Sequence, residues 1–140
     1  LSRARTTLRS RSKLLRLLSI RGDMRAYTYD DVLALYKAWQ DNKTKDNWCD
    51  LWMACEYRMR LLVFAKNKRL PIPIPNHDDL IEIVDDSVIA VMRILSDDVH
   101  EKPETAKQMS SIFHYQNLCV FKKRTRSEEK YNRVAKTLNR

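Results

Sequence analysis

Glycine is nearly absent from this sequence of 140 residues, in which it occurs once, and proline occurs only four times. β-Sandwiches and β-barrels need many glycine and proline turns, and phosphate-binding loops need clustered glycines, so the composition argues against all three. The length fits one domain, large enough to bury a core. We therefore predict an all-α protein, a compact bundle of four to five helices with a basic N-terminal arm.

Long apolar runs and paired cysteines are also missing. No apolar segment approaches the ~20 residues that a membrane-spanning helix requires, because Arg or Lys interrupts the longest candidates. The three cysteines, Cys49, Cys55 and Cys119, are an odd number without CxxC spacing. This pattern predicts reduced thiols in a cytoplasmic protein, with no disulfide framework and no membrane partner.

The sequence has no pattern typical of a metal site or a catalytic centre. The cysteines and the histidines His77, His100 and His114 do not pair at zinc-binding spacing. The acidic pairs at 78–79 and 85–86 fall on the polar side of a predicted helix, where a solvated or partner-facing charge run is commoner than a metal site. We predict no catalytic residue, no metal, no cofactor and no enzymatic activity.

Positive charge is abundant and unevenly distributed. Lys and Arg number 27 against 18 Asp and Glu, a net charge of +9, which favours a polyanionic partner such as nucleic acid. Acids nevertheless dominate residues 78–104, and bases dominate residues 105–140. The two halves of this charge pattern predict two different partners.

Residues 1–25 hold eight Lys or Arg and one acid, Asp23. This segment fits a basic arm for a phosphate backbone, a transit-like leader, or a stretch that is disordered or not native. Arg-Gly-Asp-Met at positions 21–24 can be encoded by a purine-rich run that resembles a ribosome-binding site. We therefore expect translation to begin at Met24, which mass spectrometry of the native N-terminus would test.

Hydrophobic periodicity places two helices before the proline-rich connector. Thr28 and Asp31 predict a capped helix over residues 29–40, and the polar run at 41–47 predicts a linker. A longer helix is expected over residues 47–68, ending before the PIPIP segment at 71–75. Its predicted inner stripe is formed by Trp48, Leu51, Trp52, Cys55, Met59, Leu62 and Val63.

Two further helices follow the connector. Asn76 predicts a cap for a helix over residues 76–95, and a loop is expected at 96–103. The next helix is predicted over residues 104–123, and residue 127 begins a separate basic helix or tail. The predicted inner positions are Leu80, Val84, Val88, Val91 and Leu95 in the first, and Met109, Ile112, Phe113, Cys119 and Val120 in the second.

The order of these parts resembles the second conserved region of bacterial sigma factors, over about residues 26–126. Residues 79–83, Asp-Leu-Ile-Glu-Ile, resemble the family's Asp-Leu-Val-Gln-Glu motif, with Glu82 in place of the family's Gln. Residues 51–69 resemble the preceding helix, and residues 110–126 resemble the helix with the melting aromatics, here without the family's Trp. No helix-turn-helix follows within the sequence, which is similar to compact phage sigma factors.

The resemblance implies a role for each matched residue. Asp79, Glu82 and Asp86 would contact the clamp of core RNA polymerase. Promoter DNA would be contacted by an aromatic and basic set: Phe113, His114, Tyr115, Lys122, Lys123, Arg124 and Arg126. The implied setting is the cytoplasm of a bacterial or phage-infected cell, with an accessory coactivator as a further expected partner.

These observations divide the chain into a basic arm at 1–25, a sigma-like domain at 26–126 and a basic C-terminal helix or tail at 127–140. The predicted function is a sigma-like transcription initiation factor. Two alternatives remain: a small basic helical virion or packaging protein, and a helical DNA-binding regulator.

Overall fold

A computed structural model describes residues 27–138 of the chain. This part contains four helices and no strand: α1 (Tyr29–Asp41), α2 (Lys45–Lys68), α3 (His77–Ser96) and α4 (Ala106–Leu138). The predicted all-α class is confirmed. The predicted basic arm and the start at Met24 lie outside the described residues.

Local capping determines where α1 and α2 begin. The Thr28 hydroxyl accepts from the Asp31 N–H (3.2 Å), which confirms the predicted cap, and the Asp31 carboxylate accepts from the Thr28 N–H (3.0 Å), which completes a capping box. Thr44 caps α2 by accepting from the Asn47 N–H at 3.2 Å. Because of this cap, α2 begins at Lys45, two residues earlier than predicted.

The connector between α2 and α3 is held by one buried amide. Asn67 donates from Nδ2 to the Ile74 carbonyl (3.1 Å), and its Oδ1 accepts from the Ile74 N–H (2.8 Å). Asn76 then caps α3 by accepting from the Asp78 N–H at 2.9 Å, as predicted. The proline segment is therefore anchored at its C-terminal end, through Ile74 and the Asn76 cap.

All four helices contribute to a single core, in which α2 packs on α1 and α3, and α4 packs on α3 and α1. Every predicted inner position of α3 is buried. In α2 the buried stripe runs through Leu51, Cys55, Met59 and Val63, and Trp48 and Trp52 are half-buried at its edge. Burial raises the pKa of the Cys55 thiol, so this cysteine is an apolar core side chain.

The predicted inner positions of α4 are confirmed except for Cys119: Met109 and Phe113 are buried, and Ile112 and Val120 are partly buried against the core. Its buried residues are Met109, Phe113, Asn117 and Phe121, spaced four apart. The prediction that Cys119 lies inside is wrong, because this register turns it outward and it is exposed. Asn117, fully buried, donates instead to the Ser87 hydroxyl of α3 at 3.2 Å.

Helix α4 continues without a break to Leu138, so the predicted division at residue 127 is not a helix boundary. The sequence from 104 to 138 contains no glycine or proline that would end it. Phe121 is the last buried residue of α4 in the described part, and nearly every position from 125 to 138 is exposed. The second half of α4 thus extends beyond the core.

Candidate functional site

The outer side of α3 carries an acidic face formed by Asp78, Glu82, Asp85 and Asp86. All four are exposed, and their spacing of four, three and one residues puts them on one side of the helix. Ile89, with 37% exposure, continues the same side. A group of exposed carboxylates of this kind can attract a basic partner.

Asp79 and Glu82 are already ion-paired within the molecule. Arg124 of α4 places Nη2 at 2.8 Å from Asp79 Oδ1 and Nη1 at 3.5 Å from Glu82 Oε2. Its Nε lies 3.5 Å from Glu128 Oε1 on the same helix. Two predicted polymerase contacts and one predicted DNA contact therefore form a single cluster, whereas Asp86 stays exposed outside it.

The carboxylates of this cluster stabilise the protonated form of Arg124. Burial alone would lower the pKa of Arg124, but the carboxylates of Asp79, Glu82 and Glu128 outweigh it and the pKa is raised. Its side chain is 24% exposed, against 64% for Glu82. Arg124 therefore joins α3 to α4 and has less of its surface available to an external phosphate than its neighbours.

The three predicted aromatic DNA contacts occupy different environments. Phe113 is fully buried, and its ring meets that of Tyr29 edge-on at 5.3 Å. Phe113 was also among the predicted inner positions of α4, and its ring fills the core, so in this fold it has no exposed face for the predicted contact with DNA. His114 and Tyr115 point outward, and Tyr115 is 64% exposed. Tyr115 is thus the predicted aromatic that can meet an unpaired base.

Exposed bases continue along α4 as a basic ridge formed by Lys122, Arg126, Lys130 and Arg133. Steps of three or four residues align them along one side at intervals of about 5–6 Å. Lys123 is exposed beside this ridge. Lys130 and Arg133 lie beyond residue 127, in the predicted C-terminal helix or tail; the continuity of α4 places them on the same helix as Lys122 and Arg126.

The acidic face and the basic residues adjoin. A shallow groove of about 510 Å³ between α3 and α4 has Glu82 and Asp86 on one wall and Lys123 and Arg124 on the other. Opposite charges thus line one depression. A ligand that occupied it would meet both signs of charge.

Within residues 27–138, no group of three His, Cys, Asp or Glu side chains is arranged to hold a metal ion. None of the helices described is both long enough and apolar enough to cross a membrane.

Comparison of the chain with family models, curated proteins and solved structures found no match. The placement of charge and aromatic side chains on α3 and α4 is therefore what bears on function.

Proposed function

We propose that this chain is a sigma-like transcription initiation factor of the compact phage type, which binds core RNA polymerase through α3 and promoter DNA through α4. One observation carries the proposal: an exposed acidic face and an exposed aromatic and basic surface lie on adjacent, directly packed helices. Their order along the chain is the order that the resemblance to the second sigma region implies.

On the polymerase side, Glu82 and Asp86 present the accessible charge, and Ile89 supplies an apolar contact beside them. Basic residues of the partner would be attracted to this face, and the apolar contact would add binding energy once water is excluded. Asp79 contributes chiefly by holding Arg124, with which it makes the shortest ion pair of the cluster.

On the DNA side, Tyr115 stacks on an unpaired base, with His114 beside it. Lys122, Lys123 and Arg126 neutralise phosphates. Arg124 can contact a phosphate only when its ion pairs with Asp79 and Glu82 are broken. This arrangement favours a melted strand over duplex DNA, because stacking requires a base that is free of its partner.

Co-purification with core bacterial RNA polymerase tests the proposal. Asp86→Lys reverses an exposed charge without breaking the Arg124 cluster, and Asp30→Lys, at an exposed position in the first turn of α1, is the matched control. We expect wild type and Asp30→Lys to retain polymerase and Asp86→Lys to lose it. Equal retention by all three would contradict the proposal, and tight duplex binding without polymerase would favour a DNA-binding regulator.

One observation favours a second candidate, a basic helical virion or packaging protein. Tyr131, Val134 and Leu138 are 74%, 51% and 79% exposed and recur at helical spacing on the projecting half of α4. Such a stripe suits self-assembly. Sedimentation analysis distinguishes the candidates, since an assembly protein should form oligomers that Val134→Ser disrupts.

A further inference from the structure

A second groove, of about 730 Å³, lies between the proline connector and the middle of α4. Its volume falls in the ~300–1,000 Å³ range of ligand-binding clefts. We call it the connector groove. Its apolar surface is formed by Leu70, Ile72, Ile74, Leu118 and Phe121.

The apolar wall of the connector groove is held in place before anything binds. Asn67 fixes Ile74 through two hydrogen bonds, and Ile74 packs against the core. The alternating prolines restrict the backbone φ angles on either side of Ile72. Ile72 is nevertheless 85% exposed, and Leu118 across the groove is 39% exposed. A rigid segment that displays an aliphatic side chain loses little conformational entropy when it binds a partner.

The rim of the groove is basic. Lys66, Lys122 and Arg126 line it, and burial together with the nearby charge of Lys122 lowers the pKa of Lys66. Arg124, Glu128 and Glu129 line the groove as well, and Glu128 pairs with Arg124, so bases still outnumber acids at the rim. Carboxylates from a partner would reduce the repulsion between these basic side chains, which lie close together beside an apolar surface.

The chemistry of the groove distinguishes between occupants. A nucleobase needs an open aromatic face, but Phe121 is only 9% exposed and Lys66 Nζ lies 5.2 Å above its ring. The basic segment at residues 1–25 has the same sign of charge as the rim. An acidic peptide with aliphatic side chains complements both the apolar wall and the rim.

We propose that the connector groove binds an acidic amphipathic peptide segment of a partner protein. Its aliphatic side chains lie on Ile72 and Leu118, and its carboxylates meet Lys66 and Lys122. This inference goes beyond the proposed function, because no residue of the acidic face lines this groove. Lys122 and Arg126 are shared with the basic ridge, so the decisive variants are aliphatic ones.

Fluorescence anisotropy of a labelled probe peptide tests the inference on the full chain. The probe is a helix of about four turns with Leu on one face and Glu on the other. We expect saturable binding that Ile72→Ser weakens about fivefold or more, the effect of losing roughly 1 kcal/mol of apolar contact. Val99→Ser is the matched control, because Val99 is 87% exposed in the loop between α3 and α4, and it should bind like wild type.

A second pair of variants tests the rim. Lys122→Glu should weaken binding of the probe more than Lys107→Glu does. Lys107 is an exposed lysine near the start of α4 and serves as the matched control. A probe with Lys in place of Glu should bind less tightly to wild type than the acidic probe.

Four results would each overturn the inference. The first is an absence of saturable binding, and the second is equal weakening by Ile72→Ser and Val99→Ser. The third is competition with the probe by a single-stranded oligonucleotide whose own binding is weakened by Ile72→Ser, which would make the groove a nucleic-acid site. Concentration-dependent self-association that Ile72→Ser abolishes would likewise assign the groove to a second copy of the chain.

Discussion

Phe113 and Tyr115 lie two positions apart on α4, and truncating each to Ala should affect different properties. Phe113 is fully buried and packs edge-on against Tyr29. Removing a buried aromatic ring costs about 3–5 kcal/mol, of which the ring pair accounts for about 0.5–1.5 kcal/mol. Tyr115 is 64% exposed, so Tyr115→Ala should change the free energy of unfolding by less than about 0.5 kcal/mol.

Urea unfolding followed by circular dichroism measures the free energy of unfolding, which Phe113→Ala should lower. Anisotropy of labelled oligonucleotides measures DNA binding, which Tyr115→Ala should weaken. Tyr115→Ala should weaken binding to single-stranded or bubble DNA by about 1–3 kcal/mol, the contribution of stacking on one base. It should weaken binding to duplex DNA less. Phe113→Leu, which keeps the core filled, should bind DNA like wild type. A loss of less than about 1 kcal/mol for Phe113→Ala, or a loss of DNA binding by Phe113→Leu as large as that by Tyr115→Ala, would show that the two side chains do not have these separate roles.

Two further predictions concern the loops on either side of α3. Asn67→Ala removes both hydrogen bonds to Ile74 and should lower the free energy of unfolding by about 1–3 kcal/mol in urea titrations; an unchanged midpoint would mean that the prolines alone hold the connector. Asp97 accepts hydrogen bonds from the His100 backbone and the Lys102 ammonium, which lower its pKa. The stability it contributes is therefore present above pH ~4 and is lost as the pH falls further. Asp97→Asn should be less stable than wild type at pH 7, and the difference should shrink below pH ~4; a constant difference would contradict this.

Much of α3 could be predicted from its own sequence. Asn76 marks the start, and the apolar spacing from Leu80 to Leu95 identifies the buried side, so the exposed acids follow by elimination. Helix α1 behaves in the same way, since its capping box involves only Thr28 and Asp31. Signals of this kind are local and need no knowledge of the neighbouring helices.

The features that were missed depend on distant residues. Asn117 is buried because Ser87, thirty positions earlier, receives its hydrogen bond; polarity alone predicts an exposed side chain there. The partnership of Arg124 with Asp79 and Glu82 likewise requires the packing of α4 on α3. In α4 the periodicity placed Phe113 inside correctly but placed Cys119 there wrongly, because the packing of α4 on its neighbours decides which side of its middle turns is buried.

A titration of labelled chain with purified core RNA polymerase measures whether the acidic face of α3 binds this enzyme, as we propose. We expect saturable one-to-one binding that Asp86→Lys weakens about tenfold or more, the effect of replacing attraction by repulsion at one exposed site. Asp30→Lys should match wild type. If saturable binding is absent, or if wild type and Asp86→Lys bind with equal affinity, the acidic face of α3 is not a polymerase-binding surface.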